Sequence, residues 1–102
     1  MVFTLSLEEA EIIRHRAEAF LRNAERLLEA EEWDLAVFSL EQYCQLMLKY
    51  KLLVKLGSYP RTHSLKRLIR ELASINPNLG VLVEDEENLH YIARLEEAYI
   101  TA

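Results

Sequence analysis

Apolar residues recur every three or four positions along most of this chain, and glycine and proline occur only within 57–60 and 77–80. Such spacing predicts amphipathic α-helices separated by two turns. The first predicted helix opens at Ser6, where Ser-Leu-Glu-Glu fits a capping box, and runs to about Ala30.

The second predicted helix, from about Trp33 to Leu56, is apolar almost all round, so we expect it to be covered on most sides. Gly57 is well placed to end it in the left-handed conformation. Five of its polar residues fall on one stripe about 100° wide, namely Asp34, Glu41, Gln42, Gln45 and Lys49, whereas Lys51 and Lys55 lie elsewhere, near its C-terminal end. The pattern leaves open whether this stripe lines a nucleotide groove or faces water.

Two more helices complete the prediction. The third runs from near Thr62, a candidate N-cap, to about Ser74, and the fourth covers 79–102 with a start among the acidic residues 84–87. Residues 81–83 have strand character but no second strand to pair with. We therefore predict an all-α fold, an up-and-down antiparallel bundle of four main helices with a short fifth left open. We expect a single domain over residues 1–102. The helical spacing of apolar residues continues up to Ala102, which leaves open that the natural protein is longer.

The composition of the chain excludes several classes of protein and site. The chain has 102 residues and one cysteine, Cys44, which excludes an internal disulfide scaffold and a multi-cysteine zinc site. No His, Cys or Asp pair has convincing metal spacing, so we expect no metal and no cofactor. The sequence contains no apolar run of about 18–20 residues and no signal-peptide pattern. We expect a cytoplasmic protein without a membrane segment.

The net charge of −5 at first argues against a nucleic-acid partner, but the charges are distributed unevenly along the chain. Residues 1–41 carry −6, residues 42–70 carry +7 without one carboxylate, and residues 71–102 carry −6. Either the basic stretch holds an anionic ligand, or the acidic segments of the same chain or of a partner neutralise it. Both interpretations remain open.

The basic stretch contains a segment suited to phosphate. Helix N-terminal amides bind anions, an arginine offers a bidentate fork, and a tyrosine can stack on a base. The candidate ligand-binding residues are Lys49, Tyr59, Arg61, Thr62, His63, Ser64 and Arg67. His63 has two interpretations, as a phosphate donor or acid–base group, and as a helix-start residue hydrogen-bonded across the bundle.

Three segments resemble HEPN domains (higher eukaryotes and prokaryotes nucleotide-binding). Residues 33–53, with their Leu-Lys-x-x-Leu-Leu ending, resemble the second helix of that family. Pro-Arg-Thr-His-Ser-Leu at 60–65 resembles the more specific Pro-x-x-His-Ser-Leu that opens its third helix. Residues 97–102, with Tyr99, resemble the start of its last motif, which usually continues into Arg-Tyr-Pro.

The resemblance implies a helical bundle, frequent homodimers, and association with nucleotides or RNA. Many prokaryotic members are encoded beside a minimal nucleotidyltransferase, and some are metal-independent ribonuclease toxins of toxin–antitoxin pairs that carry Arg-x(4–6)-His. No arginine stands at that spacing before His15, His63 or His90. We therefore expect a non-catalytic, homodimeric nucleotide- or RNA-binding module with a nucleotidyltransferase partner, and the ribonuclease toxin is the alternative.

Overall fold

The computed structural model describes residues 2–80 and 84–101, with side chains over 7–80 and 84–97. The described residues form four α-helices and one 3-10 turn, and they contain no strand, which confirms the predicted all-α bundle. The helices are α1 (Val2–Glu29), α2 (Trp33–Leu56), α3 (Leu65–Ala73) and α4 (Glu86–Thr101), with the 3-10 turn at Pro77–Leu79. The strand-like residues 81–83 lie outside the described part.

The predicted start of α1 at Ser6 is wrong, because the helix already begins at Val2. Residues 2–5 contain no glycine or proline, so nothing in the sequence stops the helix from extending past the serine. The other end closes with Glu31 in the left-handed conformation, at φ 61°. The amides of Glu31 and Glu32 donate to the carbonyls of Leu28 and Leu27, the two hydrogen bonds of a Schellman motif.

Small side chains let α1 pack closely and antiparallel against α2. Ala10, Ala17 and Ala24, spaced by seven residues, are all buried. Further along the contact, Asn23 Nδ2 donates to Ser39 Oγ at 2.8 Å. Among the described elements α1 contacts only α2, whereas α3 and α4 pack on α2 and on each other.

The loop after α2 places the next helix. Gly57 adopts φ 82° and its amide donates to the Leu53 carbonyl, which confirms the predicted end of α2. Residues 57–64 then run back along α2, so that Tyr59 packs against Leu53 and His63 reaches Gln45. A loop of this length can extend over about 25 Å. As a result α3 begins beside the middle of α2 and runs in the same direction, so the predicted antiparallel order of neighbouring helices is wrong for this pair.

A second core lies between α2, α3 and α4. Leu65, Ile69 and Ile92 are buried there, and Cys44 and Leu48 of α2 pack against them. Burial raises the pKa of the Cys44 thiol, which favours its unreactive protonated form. None of the described helices combines the length and the apolar character needed to cross a bilayer.

The solvent exposure of the faces of α2 differs from the prediction. We expected apolar cover on most sides and a polar stripe that lines a groove or faces water. Instead six large apolar residues of α2 are exposed in the single chain: Trp33, Leu35, Val37, Leu40, Val54 and Leu56. Two members of the polar stripe, Glu41 and Gln45, are buried. The prediction fails because α1 covers one side only, while α3 and α4 close over the side that carries Glu41.

Candidate functional site

The candidate ligand-binding residues lie on the returning loop, at the start of α3 and on the adjacent part of α2. Gly57 lets the chain reverse after α2, since its positive φ is unfavourable for residues with a Cβ. The loop is then held to α2 by an aromatic anchor at one end and by a histidine hydrogen bond at the other.

Tyr59 is an anchor of the core as well as a candidate ligand contact. Its ring packs against Leu52 and Leu53, and the Lys49 ammonium lies 5.7 Å from its ring centroid, a cation–π contact. Its hydroxyl donates to Glu9 Oε1 at 3.4 Å, and burial together with the Glu9 charge raises its pKa. A base stacked on Tyr59 would therefore have to replace contacts that the ring already makes.

Lys49 stands beside this anchor, half-buried. Burial lowers the pKa of its ammonium, while the Glu41 carboxylate acts in the opposite direction. Lys49 therefore supplies a cation near the loop, and this cation already makes a cation–π contact with Tyr59.

The start of α3 holds an oxyanion from within the chain. Ser64, not the predicted Thr62, is the N-cap: its Oγ accepts from the Arg67 amide at 3.2 Å. Thr62 Oγ1 instead accepts from the Ser64 amide at 3.1 Å. The Glu96 carboxylate, supplied by α4, accepts from the Lys66 amide at 3.0 Å and from Ser64 Oγ at 3.3 Å. The exposed amide of Lys66 at this helix N-terminus is thus bound by a side-chain carboxylate of the same chain, and the binding of an external anion here stays a prediction.

Sequence reasoning missed Glu96 as a site residue. One signal was available, since Glu96 falls on the otherwise apolar period of α4 with Leu89 and Ile92. A carboxylate at an inward position needs a donor, and the exposed amides at the start of α3 are such donors. Beside this contact a cleft of about 370 Å³ opens between α3 and α4, with Lys66, Glu86 and His90 among its lining residues.

A buried polar cluster lies under the loop. Glu41 has no exposed surface, and its two carboxylate oxygens accept from the side-chain amides of Gln45 and Gln42. Gln45 in turn contacts the imidazole, with 3.1 Å between its Oε1 and His63 Nδ1. Burial raises the pKa of the Glu41 carboxyl, and the two amide hydrogen bonds and the His63 charge oppose that effect. In the described part, every buried side-chain nitrogen or oxygen has a hydrogen-bond partner.

The remaining candidates are divided between this site and other parts of the molecule. Arg61 and Arg67 are exposed close to the start of α3. Gln42 is half-buried and belongs to the Glu41 cluster. Asp34 is exposed in the first turn of α2, and eleven residues of helix separate it from Gln45, about 16 Å along the axis. The side chain of Tyr99 lies outside the described residues.

Within residues 7–80 and 84–97 the basic stretch 42–70 forms no ion pair with a carboxylate. Over the described side chains the ion pairs are those of Arg14 with Glu11 and Glu18, at 2.7 and 2.6 Å. No lysine or arginine from 42–70 forms one. Residues 7–80 and 84–97 likewise contain no group of three His, Cys, Asp or Glu side chains placed to hold a metal ion.

Comparison with known proteins identifies one family. The model of the HEPN domain matches residues 10–102, nearly the whole chain. No curated protein and no solved structure matches it.

Proposed function

Because this chain belongs to the HEPN domain family, whose functions concern nucleotides and RNA, we propose that it is a non-catalytic binding module for a nucleotide or an RNA phosphate. The binding position in this proposal is the returning loop and the start of α3, residues 59–67. The module acts as a homodimer together with a minimal nucleotidyltransferase.

One observation carries the proposal: the start of α3 already binds an oxyanion. The Lys66 amide and the Ser64 hydroxyl converge on the Glu96 carboxylate, and exposed Arg61 and Arg67 lie close by in sequence. A phosphate offers the same acceptor chemistry with more charge, and arginine binds it in a bidentate manner. The +7 of residues 42–70, whose lysines and arginines form no ion pair over the described side chains, adds a favourable local field.

Binding is tested by thermal unfolding in the presence of AMP, ADP, ATP and a short single-stranded RNA. A ligand that binds only the folded state raises Tm by mass action. We expect a rise with at least one of these ligands, its loss in Arg61→Ala, and its retention in Arg70→Ala. Arg70 is a matched control, since it is an exposed arginine of the same basic stretch at the far end of α3. No rise at millimolar ligand, or equal loss in both variants, would contradict the proposal.

Support for a homodimer comes from the exposed apolar face of α2. Trp33 is 57% exposed, and Val37 and Leu40 are 39% and 37% exposed. Exposed apolar residues that cluster on one face are typical of a surface that another protein covers. We expect a mass of about 24 kDa by light scattering at micromolar concentration, twice the 12.0 kDa of the chain. Leu40→Glu should shift the protein toward the monomer and Ile75→Glu, another exposed apolar position, should not. A wild-type mass near 12 kDa would contradict the dimer.

The nucleotidyltransferase partner follows from the family resemblance. Co-expression with a nucleotidyltransferase encoded next to this chain should yield one complex that co-purifies. Two proteins that elute separately would contradict this part of the proposal.

The ribonuclease alternative is favoured by one observation, the hydrogen bond between His63 and the buried amide of Gln45, which orients an imidazole near the proposed phosphate position. Cleavage of single-stranded RNA in the presence of a chelator, lost in His63→Ala and retained in His90→Ala, would support it. The absence of cleavage by wild-type protein would leave the binding module as the function.

A further inference from the structure

The buried pair Glu41 and Gln45 lies beneath the proposed binding position, and neither residue reaches the surface. Their exposed fractions are 0% and 2%. A buried carboxylate is costly to the fold unless it is hydrogen-bonded, and here two glutamine amides meet that requirement.

The donors and acceptors of this cluster determine where the His63 proton lies. Gln45 Nε2 donates to the Glu41 carboxylate, so its other amide atom, Oε1, faces His63. An amide oxygen only accepts hydrogen bonds. The ring nitrogen 3.1 Å from it, Nδ1, must therefore carry a hydrogen.

The Glu41 charge fixes the direction of the whole chain of hydrogen bonds. An ionised carboxylate only accepts, so it selects the Gln45 orientation in which Nε2 points toward it. The charged and titratable groups that act on Glu41 are His63, Glu96, Cys44 and Lys49. Of these, His63 alone is linked to the carboxylate through Gln45.

We propose that Glu41 and Gln45 are positioning residues, which hold the His63 ring at the start of α3 with its hydrogen on Nδ1. The tautomer of a histidine is set by the hydrogen bond that one of its ring nitrogens makes. Glu41 and Gln45 act through His63 and do not touch the ligand. The proposal rests on the proposed function in one respect, since His63 is there one of the residues that meet the phosphate.

The tautomer is measurable without any ligand. The chain has three histidines, and the two others, His15 and His90, are exposed on α1 and α4 and serve as internal references. In ¹⁵N-labelled wild-type protein, long-range ¹H–¹⁵N spectra at a pH where the rings are neutral distinguish a protonated Nδ1 from a protonated Nε2. We expect Nδ1–H for His63 and Nε2–H, the usual form of an exposed imidazole, for the two references.

Two variants separate positioning from mere stability. Glu41→Gln replaces a carboxylate that only accepts by an amide that also donates, so the Gln45 orientation is no longer fixed and a part of His63 should move to the Nε2–H form. Gln45→Met keeps the volume but removes the acceptor, and His63 should return to the Nε2–H form. A His63 that is Nε2–H in the wild type would overturn the proposal, and this measurement does not depend on whether the methionine variant folds.

Titration with inorganic phosphate distinguishes this inference from the proposed function. We expect Gln45→Met to bind phosphate about three- to ten-fold more weakly than wild type, the effect of one hydrogen bond, and Glu41→Gln to bind with an affinity between those of Gln45→Met and wild type. Phosphate binding that is unchanged in Gln45→Met would contradict the positioning role. A wild-type His63 in the Nδ1–H form in a protein that does not respond to phosphate, nucleotide or RNA would leave the positioning inference in place and refute the proposed function.

Discussion

The contact between Glu96 and the start of α3 allows the sharpest mutational prediction. Glu96→Ala removes the acceptor for the Lys66 amide and for the Ser64 hydroxyl. Hydrogen bonds to charged groups contribute about 1.5–3 kcal/mol each. Because Glu96 is only partly buried and water can replace it, we expect a combined loss of about 1–2 kcal/mol in the free energy of unfolding, similar to the loss of a helix cap. For a domain of this size Tm falls by about 4–8 °C per kcal/mol.

The same variant should also change the response to phosphate. In the wild type a phosphate must displace the carboxylate from the Lys66 amide, whereas in Glu96→Ala that amide is vacated. Phosphate should therefore recover more stability in Glu96→Ala than it adds to the wild type. The assay is urea unfolding with and without millimolar inorganic phosphate at constant ionic strength.

Glu25→Ala provides the control, since it makes the same charge change at an exposed position in the middle of α1. Equal stability of the Glu96 and Glu25 variants would refute the capping role of Glu96. An equal gain from phosphate in both variants would refute the start of α3 as the position where the anion binds.

Three further predictions concern the backbone and the buried carboxyl. Glu31→Gly should raise the free energy of unfolding by about 0.5–1 kcal/mol, because Glu31 adopts the left-handed φ of 61°, which glycine tolerates better. Glu32→Gly should lower the free energy of unfolding, because Glu32 has an ordinary φ of −95°. Both variants are measured by chemical denaturation. Gly57→Ala should cost about 1 kcal/mol in the same assay, all of it from the backbone, since an added Cβ would meet no atom within 4 Å. The pKa of Glu41 is raised in the folded state, so its contribution to stability is present below the unfolded value of about 4.3 and is lost as the pH rises through the folded value. Glu41→Gln should consequently gain stability relative to wild type between pH 4 and pH 7, and a relative loss over that range would contradict the sign.

The bounds of α2 could be predicted because its end signal is local. Gly57 supplies a left-handed residue directly after the last periodic position, and the structure ends the helix there. The start of α1 could not be placed, because Ser6 has the residue types of a cap but no breaker before it. The N-cap of α3 was displaced by two residues, from Thr62 to Ser64, since both are hydroxyl residues and only the path of the loop decides between them.

Within the candidate site, too, local sequence signals mark some features, whereas others depend on how the helices pack. The 60–65 motif and the local charge mark the residues of the returning loop in the sequence, and their role in ligand binding stays a prediction. The burial of Glu41 and Gln45 could not be predicted, since a polar stripe on a helix does not show whether another helix covers it. The contact of Glu96 with Lys66 joins residues thirty positions apart, and such a pairing depends on how α3 and α4 pack.

The central claim is that a phosphate-bearing ligand binds at residues 59–67. It is tested most directly by backbone ¹H–¹⁵N spectra of the full chain during titration with ATP and with a short single-stranded RNA. We predict that the largest shifts occur at the amides from Arg61 to Arg67, with Lys66 among them, and that they are absent in Arg61→Ala. Shifts confined to the first turns of α2 around Asp34, or no shifts at millimolar ligand, would contradict the claim.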